Sequence, residues 1–413
     1  MAISRFPAAG RIAIVLTAAA LTATVLVGSP ASAKKAAGTI PCTGGAAGGY
    51  PCRGIDLQSY VPAADLGGAR IADVWGWADP ESKSEYALLG STRGLLFLDV
   101  TNPNKPIYLG NLVPKAEPAL IWQEIEIYKD HAFVVCDLSP CGLQIFDLTR
   151  LRGVEAAQAW TPDVLYPIPS AHSIDLNPDS GFLYVNGGLF PVGTPVILDV
   201  NSPKTPVPAG GTFDDGYTHD SLCRNYRGPD KDFKKKEICF NFNEDTITVY
   251  DMTNKMLPAQ LARVTYDNAS YVHSGVLTKD HAYLLSTDEG DETDHGLRST
   301  TYIWDVGKLT APKLIGTYVA KSGAIDHNLY GMGDAVFHAS YTAGLRILDA
   351  SKAAQAKLKE VAYFDIMPES DTPDFDGSWA AYPYLPSGNV LIGGMGQGLF
   401  VVKPDPAILR RLR

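Results

Sequence analysis

The chain has 413 residues, of which 35 are basic and 45 acidic, so its formal net charge at pH 7 is −10. This acidic balance excludes proteins that bind DNA, RNA or anionic lipid through a basic surface. The 39 glycines and 29 prolines punctuate many short β-branched segments, a pattern that is typical of an all-β protein.

The N-terminus has the pattern of a secretory signal peptide. Arg5 and Arg11 precede an apolar stretch over 12–28, and Ala31-Ser32-Ala33 supplies the small residues of a cleavage site. No cysteine follows that site and no Arg-Arg pair precedes it, which argues against a lipoprotein and against the twin-arginine route. Removing 1–33 leaves 33 basic and 45 acidic residues, a net charge of −12. We expect a protein secreted by the Sec route. Its mature part has no membrane span, since no later apolar run reaches the ~18 residues that a spanning helix needs.

A short apolar run that ends in aspartate recurs along the rest of the chain. Successive copies lie between 44 and 54 residues apart, which is the period of β-propeller blades. The run begins as LLFLDV and closes as LFVVKP, where the aspartate is lost; the seven equivalent positions are Asp99, Asp147, Asp199, Asp251, Asp305, Asp349 and Val402.

The flanking segments predict a seven-bladed β-propeller with four antiparallel strands in each blade. The seventh unit ends after its third strand, and the segment 55–62, which resembles the outer strands, supplies the missing fourth one and closes the ring. The alternative is two stacked sandwiches or barrels, which regular spacing disfavours. The predicted organisation is a signal peptide (1–33), a disulfide loop (34–54), the propeller (55–404) and a C-terminal tail (405–413).

Several of these segments carry a family resemblance. The runs ending in aspartate resemble the LVIVD repeat. Together with CTGGAAGGYPC, DVWGW, DDGYTHD, KEICFNFNEDTITVYD and AIDHNLY, they are similar to the choice-of-anchor B family of secreted bacterial β-propeller proteins. The resemblance covers about 42–404 and implies the fold and an extracellular location, without an established reaction. The tail 405–413 departs from the family, because it has neither a hydrophobic anchor nor a sorting motif.

Six cysteines in an exported chain indicate disulfides. Six cysteines allow 15 pairings, but their positions favour local pairs: Cys42–Cys52 around a glycine-rich loop, Cys136–Cys141 across a hairpin, and Cys223–Cys239 on adjacent strands of the fourth blade. A thiolate metal site is the alternative, and the close CxxC spacing that it needs is missing.

The first residues of the innermost strands form a second periodic series. Histidine occupies this position in four consecutive blades, at His172, His219, His273 and His327, and tryptophan occupies it in the other three, at Trp75, Trp122 and Trp379. Because blades are related by rotation about the central axis, these side chains are expected to line one funnel.

Converging neutral imidazoles suit a transition metal such as Zn, Cu or Fe. The four histidines therefore predict a metal site. The alternative is structural, because a histidine at the start of an inner strand also has neighbouring carbonyls or aspartates to hydrogen-bond. In that case the ring is a structural or ligand-lining feature.

Acidic residues are expected on the same face of the propeller. The loop between the second and third strands of blade five carries Asp288, Glu289, Asp291, Glu292 and Asp294, blade four adds Glu244 and Asp245, and Asp220, Asp326 and Asp376 lie beside the ring positions. Carboxylates of this kind suit Ca²⁺ or assist as general bases. A solvated acidic loop is the alternative, and the spacing does not match the EF-hand pattern.

Two functions follow from these patterns. The first is a secreted binding protein, expected to be a monomer, whose funnel takes a small molecule, a glycan or an extracellular protein. The second is an extracytoplasmic metalloenzyme, oxidative or hydrolytic, that uses the four histidines. Motifs of serine hydrolases, zinc proteases and nucleotide-binding proteins are missing from the sequence, so whether the protein is an enzyme stays open.

Overall fold

The structure, a computed structural model, describes residues 38–113, 121–138, 141–188, 193–212 and 216–412. The chain divides into two units, Met1–Lys34 and Lys35–Arg413, and all described residues belong to the second. The predicted signal peptide (1–33) lies outside the described residues. In the part of the chain that is described, no helix is long and apolar enough to cross a membrane.

Seven small antiparallel sheets form a ring, which confirms the seven-bladed β-propeller. The first strands of the chain are β1 (Ala46–Ala47), β2 (Tyr50–Arg53) and β3 (Ile55–Pro62). Blades 1 to 3 contain β4 (Ile71–Ala78), β5 (Glu85–Ser91), β6 (Leu95–Asp99), β7 (Ile107–Leu112), β8 (Gln123–Tyr128), β9 (His131–Cys136), β10 (Leu143–Asp147), β11 (Gln158–Trp160), β12 (Val164–Tyr166), β13 (Ser173–Asn177), β14 (Phe182–Asn186), β15 (Val196–Asp199) and β16 (Val207–Gly211).

Blades 4 to 7 complete the ring. They contain β17 (Asp220–Asn225), β18 (Glu237–Phe242), β19 (Ile247–Asp251), β20 (Ala259–Val264), β21 (Val272–Leu277), β22 (Tyr283–Asp288), β23 (Thr300–Asp305), β24 (Lys313–Val319), β25 (Asn328–Met332), β26 (Ala335–Ala339), β27 (Leu345–Lys352), β28 (Lys357–Phe364), β29 (Ser378–Tyr382), β30 (Val390–Gly394) and β31 (Gly398–Pro404). Two short α-helices are α1 (Asp291–His295), between β22 and β23, and α2 (Pro406–Leu412) at the end of the chain.

The innermost strands of the blades contact one another in order. β4 touches β8, β8 touches β13, and the series continues through β17, β21, β25 and β29 until β29 returns to β4. The beginnings of these seven strands therefore surround one end of a central channel, and their later residues surround the other end.

The repeated aspartate has one structural role in six blades. It is the last residue of the third strand in five blades, while in blade 6 the strand β27 continues three residues beyond Asp349. In each case its carboxylate accepts a hydrogen bond from the backbone N–H two residues later; in Asp99, for example, Oδ1 lies 2.8 Å from the Thr101 nitrogen. The same bond occurs at Asp147, Asp199, Asp251, Asp305 and Asp349. Such an Asx turn directs the chain back towards the outer strand. Val402 replaces the aspartate in blade 7, where the chain makes no such turn.

The ring is closed by the N-terminal strand, as predicted. β3 pairs antiparallel with β31, from Ile55 opposite Pro404 to Pro62 opposite Gly398. Pairing β3 with the last strand covers an edge that would otherwise stay open.

The three predicted disulfides are present. Cys42 bonds Cys52, Cys136 bonds Cys141 and Cys223 bonds Cys239. Cys223 and Cys239 lie directly opposite each other on β17 and β18. The Cys42–Cys52 bond anchors the small β1–β2 hairpin, and β2 adds to the outer edge of blade 6 by pairing with β28.

Aromatic side chains fill the spaces between blades. Phe97 of blade 1 stacks on Phe146 of blade 2 with ring centroids 4.8 Å apart, and Trp160 meets both rings edge-on. Burial of one such ring stabilises the fold by about 1.5–3 kcal/mol. The C-terminal helix α2 also joins the core, because Leu409 and Leu412 are buried.

Candidate functional site

A pocket of about 460 Å³ lies at the end of the channel where the inner strands begin. All four predicted histidines line it, together with two of the three predicted tryptophans. The other lining side chains that matter below come from loops between strands: Arg70, Asp137, Tyr217, Tyr271, Glu289, Tyr341 and Phe375.

The four imidazoles form a continuous row. Ring centroids are 4.2 Å apart between His172 and His219, 4.3 Å between His219 and His273, and 4.3 Å between His273 and His327. Burial and the neighbouring imidazoles hold the pKa of His219 and of His273 well below the usual range. Burial lowers the pKa of His327 to about 3. These three rings are therefore neutral at physiological pH, the form that binds metals.

Contacts between blades orient the rings. His219 Nδ1 donates to the carbonyl of His273 at 3.3 Å, and His327 Nδ1 donates to the carbonyl of Trp379 at 2.6 Å. The Nδ1 of His273 faces the carbonyl of His327 without a hydrogen bond of good geometry. A proton on Nδ1 leaves the lone pair on Nε2, so the second nitrogen of each ring is available as a ligand.

His172 is oriented by a carboxylate instead of a carbonyl. Its Nδ1 lies 2.9 Å from Asp137 Oδ2, and Asp137 is in the hairpin that the Cys136–Cys141 disulfide closes. A carboxylate that holds a histidine in this way is a common support of metal ligands, because it fixes the tautomer and the orientation of the ring.

One acidic side chain enters the pocket. Glu289 follows β22, and its carboxylate oxygens lie 3.7 Å from His273 Nε2 and 3.3 Å from His327 Nε2. The Tyr341 hydroxyl donates a hydrogen bond to it. Burial raises the pKa of Glu289 to about 7. His219, His273 and Glu289 each offer a ligand atom, and these atoms lie within 4.8 Å of one another.

Aromatic walls surround this polar centre. Tyr271 meets the His219 ring edge-on at 5.1 Å, and Tyr341 lies 4.6 Å from the His327 ring. The sequence reasoning missed these tyrosines, as well as Tyr217. A signal for two of them exists in the sequence, because a tyrosine stands two residues before the histidine in Tyr217-Thr218-His219 and in Tyr271-Val272-His273.

Trp75 does not line the histidine pocket, so the predicted position of this side chain is wrong. Trp122 and Trp379 line the histidine pocket, whereas Trp75 lines a separate cavity further along the inner strands and packs against Tyr382 at 5.1 Å. Trp75 is the fifth residue of β4, whereas Trp122 and His172 stand directly before their strands. Arg70 stands directly before β4 and lines the histidine pocket in place of Trp75.

Most of the predicted acidic residues form hydrogen bonds with backbone N–H groups or hydroxyl groups of the protein itself. Asp288 accepts from Tyr266, Ser270 and Tyr271, and Asp291 accepts from the Tyr302 hydroxyl at 2.6 Å. The others are bound locally: Glu292 Oε1 lies 3.3 Å from the Asp326 nitrogen, Asp294 bonds Ser270, Glu244 pairs through its backbone with Val272, and Asp245 bonds Thr246. The calcium site stays a prediction that no converging set of carboxylates among the described residues supports.

The three aspartates expected beside the ring are separated from it. Asp326 is fully buried and accepts from the Asp288 and Thr300 nitrogens at 3.1 and 2.7 Å. Asp376 accepts from the Gly377 nitrogen at 2.8 Å and does not line the pocket. Asp220 lines the same second cavity as Trp75.

Comparison with known proteins supports the fold alone. A solved structure described as a functionally unknown protein from Desulfotomaculum acetoxidans DSM 771 is similar to this chain with a TM-score of 0.52 at 14% sequence identity. The match covers 74% of this chain and 90% of that one. No family model and no curated protein matches the chain, so the resemblance to the choice-of-anchor B family stays a prediction.

Proposed function

We propose that this is a secreted binding protein whose histidine pocket holds a divalent transition metal and captures a small molecule through it. The observation that carries the proposal is the grouping of His219, His273 and Glu289 with ligand atoms within 4.8 Å of one another. Imidazole nitrogens and one carboxylate suit Zn²⁺, Fe²⁺ or Cu²⁺. Secretion is supported by three disulfides, which persist in oxidising compartments.

The orientation of the rings supports a metal more than a purely structural row. A structural histidine needs one hydrogen bond, and the backbone carbonyls supply it at Nδ1. The Nε2 atoms of His273 and His327 face Glu289 instead. With Nδ1 protonated, these atoms have lone pairs directed at a carboxylate, which repels them unless a proton or a cation lies between.

The pocket dimensions favour a small ligand. About 460 Å³ falls within the range of small-molecule sites. Three protein ligands leave coordination positions open on a metal. Trp122, Trp379 and Phe375 supply flat apolar walls around that opening.

Two measurements test the metal site. Elemental analysis of protein purified without added metal is expected to give about one transition metal for each chain. Calorimetric titration of chelator-treated protein with Zn²⁺ is expected to show binding that His219→Asn weakens by about a hundredfold, because one of three ligands is lost. Asparagine is a matched change, since its side-chain N–H can still donate to the His273 carbonyl while no atom replaces Nε2.

His295→Ala is the control, because His295 is exposed in α1, outside the pocket. Equal affinity for Zn²⁺ in the native protein and in His219→Asn would refute the metal site. The open coordination position is tested separately in cobalt-loaded protein, where azide is expected to change the visible spectrum. An unchanged spectrum would contradict ligand capture through the metal.

A metalloenzyme is the second candidate, favoured by the donor set itself. Two histidines and one glutamate are the ligands of catalytic zinc in several hydrolases, and two histidines with one carboxylate hold iron in many oxygenases. Assays of the metal-loaded protein against chromogenic esters and for oxygen consumption test this candidate. Turnover that His219→Asn abolishes supports an enzyme, and stoichiometric metal without turnover supports the binding protein.

A further inference from the structure

A second cavity of about 590 Å³ occupies the other end of the channel. It is lined by later residues of the inner strands, from all seven blades. Its charged and aromatic side chains are Trp75, Trp77, Glu124, Glu126, Asp175, Asp220, Arg224, Tyr330, Tyr382 and Tyr384. The pocket that carries the proposed function shares none of these residues.

Acidic side chains dominate this cavity. Four carboxylates line it, and Arg224 is the one cation among the described lining residues. Arg224 is already engaged, because its Nη1 lies 2.8 Å from Asp175 Oδ1 and also donates to the carbonyls of Leu176 and Cys223. Glu124, Glu126 and Asp220 are therefore left without an ion-pair partner in the part of the chain that is described.

Glu126 is the most informative of the three. It is 9% exposed, its carboxylate lines the cavity, and no described side chain donates a hydrogen bond to it. A buried carboxylate to which no side chain donates is costly. Burial, followed by the charge of Asp175, raises the pKa of Glu126 well above its usual range, although the charge of Arg224 and the Ile127 backbone N–H favour the charged form.

The spacing of the carboxylates argues against a compact metal ion. Among the described residues, the one group with ligand atoms within 4.8 Å of one another is in the histidine pocket. The carboxylates of the second cavity are spread around the channel, so a small ion would reach too few oxygens to replace its hydration shell. Separate positive groups on one molecule would reach them.

Aromatic rings stand between these acids. Trp75 lies 5.1 Å from Tyr382, which meets Tyr384 edge-on at 5.3 Å. Faces of tryptophan and tyrosine attract ammonium groups and also pack against methylene chains. The wall therefore suits a molecule in which apolar segments connect the cationic centres.

We propose that this cavity binds a linear aliphatic polyamine, with ammonium groups at Glu126, Glu124 and Asp220 and methylene segments against Trp75 and Tyr382. Protonated amines donate to carboxylates in charge-assisted hydrogen bonds. A volume of about 590 Å³ is sufficient for a small ligand of this class.

Calorimetric titration of the native protein with spermidine at pH 7.5 and 0.15 M salt tests this site. We expect one molecule bound for each chain, and an affinity that falls at least about tenfold in Glu126→Gln, since one charge-assisted bond is lost. Glu155→Gln is the matched control, because Glu155 is exposed on the outside of the propeller. Trp75→Leu tests the aromatic wall with a second variant, and circular dichroism checks that each variant is folded.

Several outcomes would overturn the proposal. Spermidine that binds native protein and Glu126→Gln equally would indicate attraction to surface charge alone. Displacement of spermidine by an equal concentration of Ca²⁺ or Mg²⁺ would indicate a site for inorganic cations. Glu126→Gln is expected to leave Zn²⁺ binding unchanged, so failure of this site and failure of the histidine pocket give different results.

Discussion

The acids of the second cavity should make the protein less stable as the pH rises, and Glu126→Gln should remove part of that loss. Glu126 is buried and has no hydrogen-bonding side chain beside it. In the native state its proton is retained to higher pH than in the unfolded chain. Replacing it with the isosteric neutral amide is therefore expected to stabilise the protein at pH 8 and to have little effect at pH 4.

The size of the pKa shift of a buried acid determines how much the free energy of unfolding changes with pH. Asp73 is 2% exposed, and its charge contributes to the raised pKa of Glu124 and of Glu126. Burial raises the pKa of Asp73 itself from 3.8 to about 7. An acid with a raised folded-state pKa contributes fully below its unfolded pKa, and its contribution is lost as the pH rises towards the folded value. At 1.36 kcal/mol for each pKa unit, Asp73 alone accounts for at most about 4 kcal/mol between pH 4 and pH 7.

For Glu126→Gln we expect a gain of about 1–3 kcal/mol at pH 8, the range for correcting a single buried polar defect. Urea unfolding at pH 4 and at pH 8, in the presence of a chelator and with Glu155→Gln as the control, measures it. A variant no more stable than native protein at pH 8 would refute the reasoning. An equal gain at both pH values would show that packing, and not charge, is responsible.

Two further predictions concern the supports of the fold and of the site. Asp137→Ala releases His172, which is not one of the three proposed ligands, so Zn²⁺ affinity should fall by less than about tenfold, the lower end of the effect of an outer-shell support; a loss of about a hundredfold in calorimetry would instead make His172 a ligand. Replacing both Cys223 and Cys239 with alanine opens a loop of 16 residues and should cost about 3 kcal/mol in urea unfolding; a loss below about 1 kcal/mol would show that strand pairing alone fixes this hairpin.

The fold was predictable from the sequence because one aspartate has the same structural role in six of the seven blades. Each aspartate that ends a third strand accepts the turn N–H two residues later, as Asp99 does for Thr101 and Asp251 for Thr253. Six blades need the same turn after the third strand, so the residue recurs at the blade period. Where the outer strand comes from the N-terminus, Val402 needs no such turn. The closure was predicted because the seventh unit ends after its third strand and the segment 55–62 resembles an outer strand.

The site was predictable only where blades are equivalent. The histidines follow the blade period, so counting residues placed them together. Counting fails at Trp75, because β4 begins at Ile71 and Trp75 is its fifth residue, and residue spacing alone does not locate where a strand begins. It also fails among the acids: Asp288 and Glu289 are adjacent in the sequence, yet one caps backbone N–H groups and the other faces the imidazoles.

The structural and the metal-binding interpretations of the histidine row do not compete for the same atoms. Linking blades requires a donor at Nδ1, as His327 provides to Trp379, and binding a metal requires a lone pair at Nε2. The hydrogen bond from Nδ1 makes the lone pair at Nε2 available, because a neutral imidazole with its proton on Nδ1 has an unprotonated Nε2. A ring of blades that are joined through histidine side chains therefore leaves a lone pair on the second ring nitrogen wherever Nδ1 donates to the neighbouring blade, as it does at His219 and His327.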